Sequence, residues 1–446
     1  MKIKQFEFTP LAHYSYAIIS GDKMAIVDPS RNPLPYYNYA EENDAKIVAV
    51  FETHLHADFI SSHLQIHNET GATVYVNKHA EAKYPHKAFN HNDTFKMNDI
   101  EFRCIYTPGH SRDSICILAE SENKKYALFT GDTLFISDIG RPDLREAGGE
   151  TDDEREKLAR MMFETIQTKF SDLRDDVIIY PTHGAGSLCG KGLSEELIST
   201  LGKERRTSWA FQINNEEEFV KELTSGQPFI PNYFSFNVEQ NRQGVGKTAI
   251  NFANVEFIMG RTSGGKEIIT IDMRGEESYK DNHLENSINI MCTDENDAME
   301  TWLGSIVKPN EQFEVIINSA DDVKRTFDRI SSIGYDKNLK SISTLGSGGF
   351  CKMHQFCYEH FKNNMELYTI VDVRNKDEYE ESKVFENALN FPLDKLMEEA
   401  ENIPTDKPIV VHCGSGYRSS IGSSIIHRHS PDAKVLDMGE YIKKFN

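Results

Sequence analysis

Basic residues are scarce in this chain: 49 Lys and Arg stand against 70 Asp and Glu, a formal charge of −21 over 446 residues. That balance excludes nucleic acid and anionic membrane as default partners, because both reward basic patches. Its simplest meaning is solubility in a cytosol. Long hydrophobic runs are missing too, so no segment is expected to span a bilayer. The N-terminal MKIKQFEFTP has neither the apolar stretch nor the small-residue cleavage site of a secretory leader. No CxxC pair occurs. The seven cysteines (Cys104, Cys116, Cys189, Cys292, Cys351, Cys357, Cys413) are odd in number, which fits reduced thiols of a cytoplasmic protein better than a disulfide framework. The length exceeds one ordinary domain, and the apolar content is enough for each of two to four domains to build a core.

One more absence is local. Thr53-His54-Leu55-His56-Ala57-Asp58-Phe59 is a His-x-His-x-Asp-His metal motif with Phe in place of its last His. Imidazoles and a carboxylate this close together suit a divalent metal. Residues 1–120 alternate short β-like runs with polar turns, at Tyr16–Ile19, Met24–Val27, Ile47–Phe51, Thr73–Val76 and Ile115–Leu118. Helical patterns lie at Ser61–Glu69 and Asp153–Phe170, and a charged helical stretch at Gly202–Glu222. Strand Val177–Tyr180 leads into Pro181-Thr182-His183-Gly184. Thr107-Pro108-Gly109-His110-Ser111 and Thr130-Gly131-Asp132-Thr133 likewise end β-like runs with turns. His110, Asp132 and His183 are therefore expected on loops at strand ends, where sites on α/β scaffolds commonly lie. An extended, aromatic stretch follows at Pro228–Phe236, and Gln240–Lys247 reads as a linker.

Past residue 247 the chain repeats itself. Ile271-Asp272-Met273-Arg274 with Tyr279 recurs as Val371-Asp372-Val373-Arg374 with Tyr379, and Glu314–Asn318 has its counterpart in Ile409–Cys413. Two tandem α/β units are the simplest account.

The four N-terminal segments together resemble the metallo-β-lactamase superfamily, in its glyoxalase II and persulfide dioxygenase branch, over about residues 1–235. The resemblance implies an αββα sandwich with the metal at one edge of two sheets. It implies that dinuclear members build a second metal position from Asp58, the next residue, the bridging Asp132 and His183, which Phe59 cripples here. Persulfide dioxygenases keep one Fe(II), whose ligands would be His54, His110 and Asp132, a two-His-one-carboxylate face with three open positions. His56 would be a neighbour, and Asp58 and His183 would serve the ligands or the substrate. Arg141, in Gly140-Arg141-Pro142-Asp143, is a site residue or the partner of a nearby acid. Cys189, on the Gly-rich loop Gly184–Lys191, would meet a persulfide substrate or be an inert buried thiol, and Lys191 an anionic group. Cys104 and Cys116, in apolar β-like runs, are expected in the core.

Val411-His412-Cys413-Gly414-Ser415-Gly416-Tyr417-Arg418-Ser419-Ser420 reads as a strand, a tight loop and a helix start. Its glycines let backbone N–H groups turn inward as an anion nest, and the helix dipole favours a thiolate or persulfide on Cys413. Four residues separate Cys413 from Arg418, one fewer than in Cys-based phosphatases. This resembles the rhodanese sulfurtransferases, over about 346–446, with Cys413 as persulfide carrier, Arg418 closing the ring and Ser415 in the loop. The first repeat resembles a rhodanese without its nucleophile: where the loop should begin, the chain reads Asn318-Ser-Ala-Asp-Asp-Val323. Cys292 precedes that loop and is no equivalent. Cys351-x2-His354-x2-Cys357 lacks an evident fourth ligand.

The expected fold is α/β: a metallo-β-lactamase sandwich with an extension (1–240), an inactive rhodanese-like domain (248–345) and an active one (346–446). The chain thus resembles a persulfide dioxygenase–rhodanese fusion. That implies O2-dependent oxidation of a persulfide of coenzyme A, glutathione or another thiol at mononuclear Fe(II), sulfur transfer to or from thiosulfate through Cys413, and a homo-oligomer. A Zn-dependent thioester hydrolase of glyoxalase II type with accessory rhodaneses remains open, as does a sulfur-carrier scaffold with a vestigial metal site.

Overall fold

The computed structural model describes the whole chain except residues 123–125, 145–151, 265–267, 349 and 446. It divides into two compact units, Met1–Thr248 with Ser331–Gly334, and Ala249–Ile330 with Tyr335–Asn446.

The first unit stacks two six-stranded sheets. One runs in the order Lys2–Phe8, His13–Ser20, Lys23–Val27, Lys46–Phe51, Thr73–Val76, Lys87–Ala88. The other runs Ser199–Thr200, Ile178–Pro181, Tyr126–Gly131, Ile115–Ser121, Ile100–Tyr106, Thr94–Met97. Period-2 alternation sorts their side chains. Tyr16 and Ile18 of the first sheet meet Ile115, Ile117 and Phe129 of the second in the inter-sheet core. Ala17 and Ile19 point the other way, to Tyr36 and Ala40 of helix Leu34–Glu42 and Ile66 of helix His63–Thr70. Cys116 and Leu118 meet Ala159, Met162 and Ile166 of helix Asp152–Thr168. Because helices cover both outer faces, these strands read as near-continuous apolar runs. The layers are α-β-β-α, as expected. Cys104 and Cys116 lie buried on Ile100–Tyr106 and Ile115–Ser121, and burial pushes the Cys116 thiol up to about 12.

One expected linker is not one. Helix Phe234–Gln243 takes in Gln240–Gln243 and begins inside the stretch expected to be extended. Polar composition concealed it: Asn237 and Asn241 on this helix are buried, and the Asn241 amide bonds the interior rather than solvent.

The second unit holds two parallel sheets. The first runs Glu256–Arg261, Leu339–Leu345, Phe313–Ile317, Ile269–Asp272, Ile288–Asn289; the second runs Leu389–Asn390, Thr369–Asp372, Ile409–His412, Val435–Asp437. The repeat seen in the sequence is a repeated hydrogen-bond network. Arg274 pairs with Asp272, Asn289 Nδ2 donates to the carbonyls of Asp272 and Arg274, and the Tyr279 hydroxyl donates to Ser287 O. Arg374, Asp372, Asn390 and Tyr379 repeat each of these bonds, the last to Ala388 O. Register corrects one equivalence. Asp272 pairs with Ile316 as Asp372 pairs with His412, so Ile317, one residue before Asn318, stands at the place of Cys413. Ile317 is buried, and no thiol occupies that position.

Among the described residues no helix is long and apolar enough to cross a membrane.

Candidate metal centre and sulfur-binding loop

Four strand ends deliver the first cluster. His54 follows Lys46–Phe51, His110 follows Ile100–Tyr106, Asp132 follows Tyr126–Gly131 and His183 follows Ile178–Pro181. Gly131 is needed for this: its φ is +53°, and a Cβ there would lie 2.5 Å from Thr53 Oγ1. Gly140 is held tighter still, since a Cβ would meet Asp132 O and His110 Nδ1, the latter at 2.9 Å.

His54, His110 and Asp132 offer ligand atoms within 4.8 Å of one another, all buried. Asp132 Oδ2 lies 3.8 Å from His54 Nε2 and 3.6 Å from His110 Nε2. The backs of both imidazoles are fixed. His110 Nδ1 donates to Arg141 O at 2.8 Å. The Thr53 hydroxyl donates to Asp28 Oδ2 at 2.8 Å and so accepts from His54 Nδ1 at 3.0 Å. Each Nε2 is therefore the unprotonated, ligating nitrogen. Neither carboxylate oxygen of Asp132 has a hydrogen-bond partner in the protein. A buried, unpartnered carboxylate facing two basic imidazole nitrogens is costly unless a cation sits among them, so these residues fit a divalent metal.

His56 does not join them. Its Nε2 lies 3.2 Å from Asp28 Oδ1 and 3.5 Å from Glu52 Oε2, and its ring stacks on Phe59 at 4.3 Å. Burial opposes protonation of His56, but Asp28 and Glu52 outweigh it and lift the ring to about 9. Burial pushes Glu52 up to about 8. Phe59 fills the place of the absent His, between His56 and His13, whose ring lies 3.9 Å away. Asp28, Asn241 and His13 were not singled out from the sequence. Asp28 binds the Thr53 N–H at 2.8 Å and the Thr182 hydroxyl at 3.0 Å, tying two site loops together. Its only local signal is an Asp closing a β-like run before Pro29. Asn241 Nδ2 donates to His56 O and Phe59 O, both at 2.8 Å, and its Oδ1 accepts Ser61 N at 2.9 Å.

On the other side of Asp132, Asp58, His183 and Cys189 form a second buried group with ligand atoms within 4.8 Å of one another. Burial raises the Asp58 carboxyl, and burial with Asp132 and Asp58 raises the Cys189 thiol. Arg141 is a structural residue: its guanidinium forms a bidentate pair with Asp143 at 2.6 and 2.7 Å and donates to Leu188 O and Pro228 O. It serves the site through its backbone carbonyl on His110. Lys191 is not available to an anion here, because Nζ is held by Glu222 Oε1 at 2.8 Å and by the carbonyls of Glu222 and Ser225.

The N-terminal half matches the family model described as Metallo-beta-lactamase superfamily over residues 8–183, and residues 358–440 match the model described as Rhodanese-like domain. A 2.1 Å crystal structure of a metallo-beta-lactamase from Staphylococcus aureus subsp. aureus COL is 31% identical, with a TM-score of 0.69, covering 77% of this chain and 99% of that one. The chain belongs to the metallo-β-lactamase superfamily. Superfamily relatives include a probable hydroxyacylglutathione hydrolase of Schizosaccharomyces pombe, 28% identical over 38% of this chain, and the chain spans only 63% of that relative's own length. The hydroxyacylglutathione hydrolase GloC of Haemophilus influenzae is 25% identical over 41% of this chain and 85% of its own length. To the metal-binding site of the metallo-β-lactamase fold this chain thus adds a rhodanese-like domain.

In that domain Cys413 is buried, and its Sγ accepts the Gly416 N–H at 3.1 Å. Gly416, at φ +116°, turns the loop into helix Tyr417–His429. Ser415 at the loop tip is exposed. Arg418 stands beside the loop, with Nη2 3.7 Å from where a Cβ on Gly414 would be. Its guanidinium is held bidentately by Glu378 at 2.6 and 2.7 Å, so the expected closing cation carries its own counter-charge. Glu378 was missed in the sequence. Every scaffold bond named above occurs in both repeats, but the first has Ser278 at the place of Glu378. Glu378 also caps its own helix, accepting the Asn375 N–H at 3.1 Å, but of the two repeats only the one with Cys413 and Arg418 places a carboxylate here. Glu378→Gln is expected to raise alkylation of Cys413 by anionic iodoacetate about fivefold relative to neutral iodoacetamide, by removing one negative charge near the loop. Mass spectrometry of the Cys413 peptide measures both rates, and an unchanged ratio would deny Glu378 an electrostatic role.

Cys351, His354 and Cys357 belong to none of the metal-competent groups found among the described residues.

Proposed function

We propose that this protein oxidises a low-molecular-weight thiol persulfide with O2 at a single Fe(II), and that its rhodanese-like domain moves sulfane sulfur through Cys413. The observation that carries the reading is the turning of His56 toward Asp28 and Glu52. It leaves two imidazoles and one carboxylate on one face, the donor set of non-haem Fe(II) oxygenases. When bound, the iron would supply redox chemistry toward O2 and a Lewis-acid position for the persulfide sulfur. His54, His110 and Asp132 would hold it, while Thr53 and Arg141 O keep both imidazoles in the ligating tautomer. Asp58, His183 and Cys189 lie buried on the other side of Asp132. The balance is one persulfide, one O2 and one water giving one free thiol and one sulfite.

At Cys413 a second persulfide would leave its outer sulfur on Sγ and depart as free thiol. Attack by sulfite would then release thiosulfate and restore the thiol; the reverse direction is equally balanced. We further propose three domains, 1–240, 248–345 and 346–446, the middle one a rhodanese-like module without nucleophile that serves as a spacer or docking element. The carrier thiol would be coenzyme A, glutathione or a similar small thiol, in a cytoplasmic homo-oligomer.

A Zn-dependent thioester hydrolase is the second reading, favoured by relatives named hydroxyacylglutathione hydrolases. Stripping the protein anaerobically and reloading it with Fe(II) or Zn(II) separates the two. The first reading expects one O2 consumed per sulfite formed from glutathione persulfide with iron, and none with zinc. Thioester cleavage by the zinc form without O2 uptake by the iron form would establish the second.

A further inference from the structure

The second unit holds a cavity of about 950 Å³ that neither the metal cluster nor the scaffold of the repeats explains. Three pieces of chain wall it: helix Glu276–Asp281 of the first repeat, residues 352–356, and residues 437–444 at the end of the second repeat. Small-molecule sites span roughly 300–1,000 Å³, so the volume suits a ligand rather than a few waters. The cavity adjoins the sulfur loop. A Cβ on Gly416 would lie 3.1 Å from Glu440 N and from the carbonyl carbon of Gly439, and the Gly416 N–H itself reaches Cys413 Sγ at 3.1 Å. One residue therefore separates the cavity wall from the sulfur.

Charge is divided among the walls. On the helix, Lys280 is the one cation beside Glu276, Glu277 and Asp281. It is also drawn to the buried Asp437 at 2.9 Å, with Glu276 at 3.2 Å and Glu277 at 3.4 Å, so this wall keeps an excess of negative charge. The other pieces carry Lys352, Lys443 and Lys444, of which Lys443 is paired with Glu440 at 2.6 Å. Among the described residues no acid pairs with Lys352 or Lys444, and no base with Asp281; all three are exposed. Lys444 Nζ stands 4.9 Å over the ring of Tyr441, which also lines the cavity.

We propose that this cavity binds the carrier part of the persulfide that loads Cys413, and that the carrier is a peptide-like thiol with one ammonium and two carboxylates, as glutathione has. The uncommitted charges are its complement: Asp281 for the ammonium, Lys352 and Lys444 for the carboxylates. A polyanion without an ammonium, such as coenzyme A, meets the acidic helix with like charge. The first repeat thus has a task despite its missing nucleophile, because it supplies the ammonium wall. In the transfer the Cys413 thiolate attacks the outer sulfur, the S–S bond of the donor breaks, and the carrier leaves as a thiolate that takes up a proton; no outside oxidant or reductant enters. The inference rests on the sulfur transfer through Cys413 proposed above and adds the chemical class of its donor.

The test uses the full chain without O2. Loading of Cys413 from glutathione persulfide, coenzyme A persulfide or thiosulfate is followed by mass spectrometry of the Cys413 peptide, which gives a half-saturating concentration and a maximal rate for each donor. In the wild type the half-saturating concentration should be at least about fivefold lower for glutathione persulfide than for coenzyme A persulfide. Lys352→Glu/Lys444→Glu should raise the value for glutathione persulfide about tenfold relative to that for thiosulfate, with the maximal rate within about twofold. Asp281→Lys should reverse the preference between the two persulfides. A lower value for coenzyme A persulfide in the wild type, or a double variant that shifts glutathione persulfide and thiosulfate equally, overturns the assignment. S-Methylglutathione, which carries no sulfane sulfur, is the second probe: equilibrium dialysis should show one equivalent bound by the wild type that the double variant loses. If no persulfide loads Cys413, the transfer reading fails, and the dialysis still decides the cavity; equal binding by wild type and double variant overturns it.

Discussion

Asp132→Ala is expected to reduce bound iron from about one equivalent to under a tenth and to lower O2 uptake at least about 10³-fold, equivalent to about 4 kcal/mol of barrier. The argument is geometric. Asp132 contributes the one carboxylate that faces both His54 and His110, and the same side chain faces His183. No neighbouring acid can replace it, because Asp58 is committed to the His183 side and Asp28 and Glu52 to His56. The metal-free variant should move the opposite way in stability. A buried carboxylate whose oxygens accept no hydrogen bond from the protein is a burden on the empty fold, so removing it should stabilise the metal-free chain by about 1–2 kcal/mol. Urea unfolding with and without chelator reads this directly. A variant that loses both metal and metal-free stability would show that Asp132 is a scaffold residue.

Cys413→Ser is expected to abolish thiosulfate formation from persulfide and sulfite, by at least about 10³-fold, while O2 uptake per persulfide stays within twofold. Oxygen is too poor a nucleophile and leaving partner to carry a sulfane sulfur, although the hydroxyl fits the loop and can accept the Gly416 N–H that now reaches Sγ at 3.1 Å. The fold should survive, because the scaffold bonds of Asp372, Arg374, Asn390 and Tyr379 do not involve the loop. Sulfite should then accumulate in place of thiosulfate. Thiosulfate formed at the wild-type rate by the variant would remove Cys413 from the reaction.

The sequence disclosed those site residues whose neighbours in the chain announce them. His54, His110, Asp132 and His183 each end an apolar run in a turn, and a strand end on a two-sheet scaffold leaves few places for the side chain to go. The residues that hold them were hidden because their partners are distant. Asp28 acts on Thr53 and Thr182, and Asn241 on His56 and Phe59. Asn241 carries no local pattern, and Asp28 only the close of a β-like run before Pro29. Asn241 was masked further by its polar neighbours, which made a helix resemble a linker. Arg141 and Lys191 show the converse case, with Arg141 taking the second of its two expected roles, partner of a nearby acid. Their charge drew attention, but only packing reveals that Asp143 and Glu222 already hold them. The one-residue displacement from Asn318 to Ile317 is a matter of strand register, which hydrogen bonds define and composition does not.

Helix Phe234–Gln243 also sets how this half could be transplanted. The stretch that carries the superfamily signature closes at residue 183, and a gene fragment cut there would encode every side chain of the His54, His110 and Asp132 cluster. It would still be a poor cassette, because the carbonyls of His56 and Phe59 would lose the one amide that caps them both. The smallest portable version of the metal-binding half therefore ends beyond Gln243, some sixty residues after the signature does.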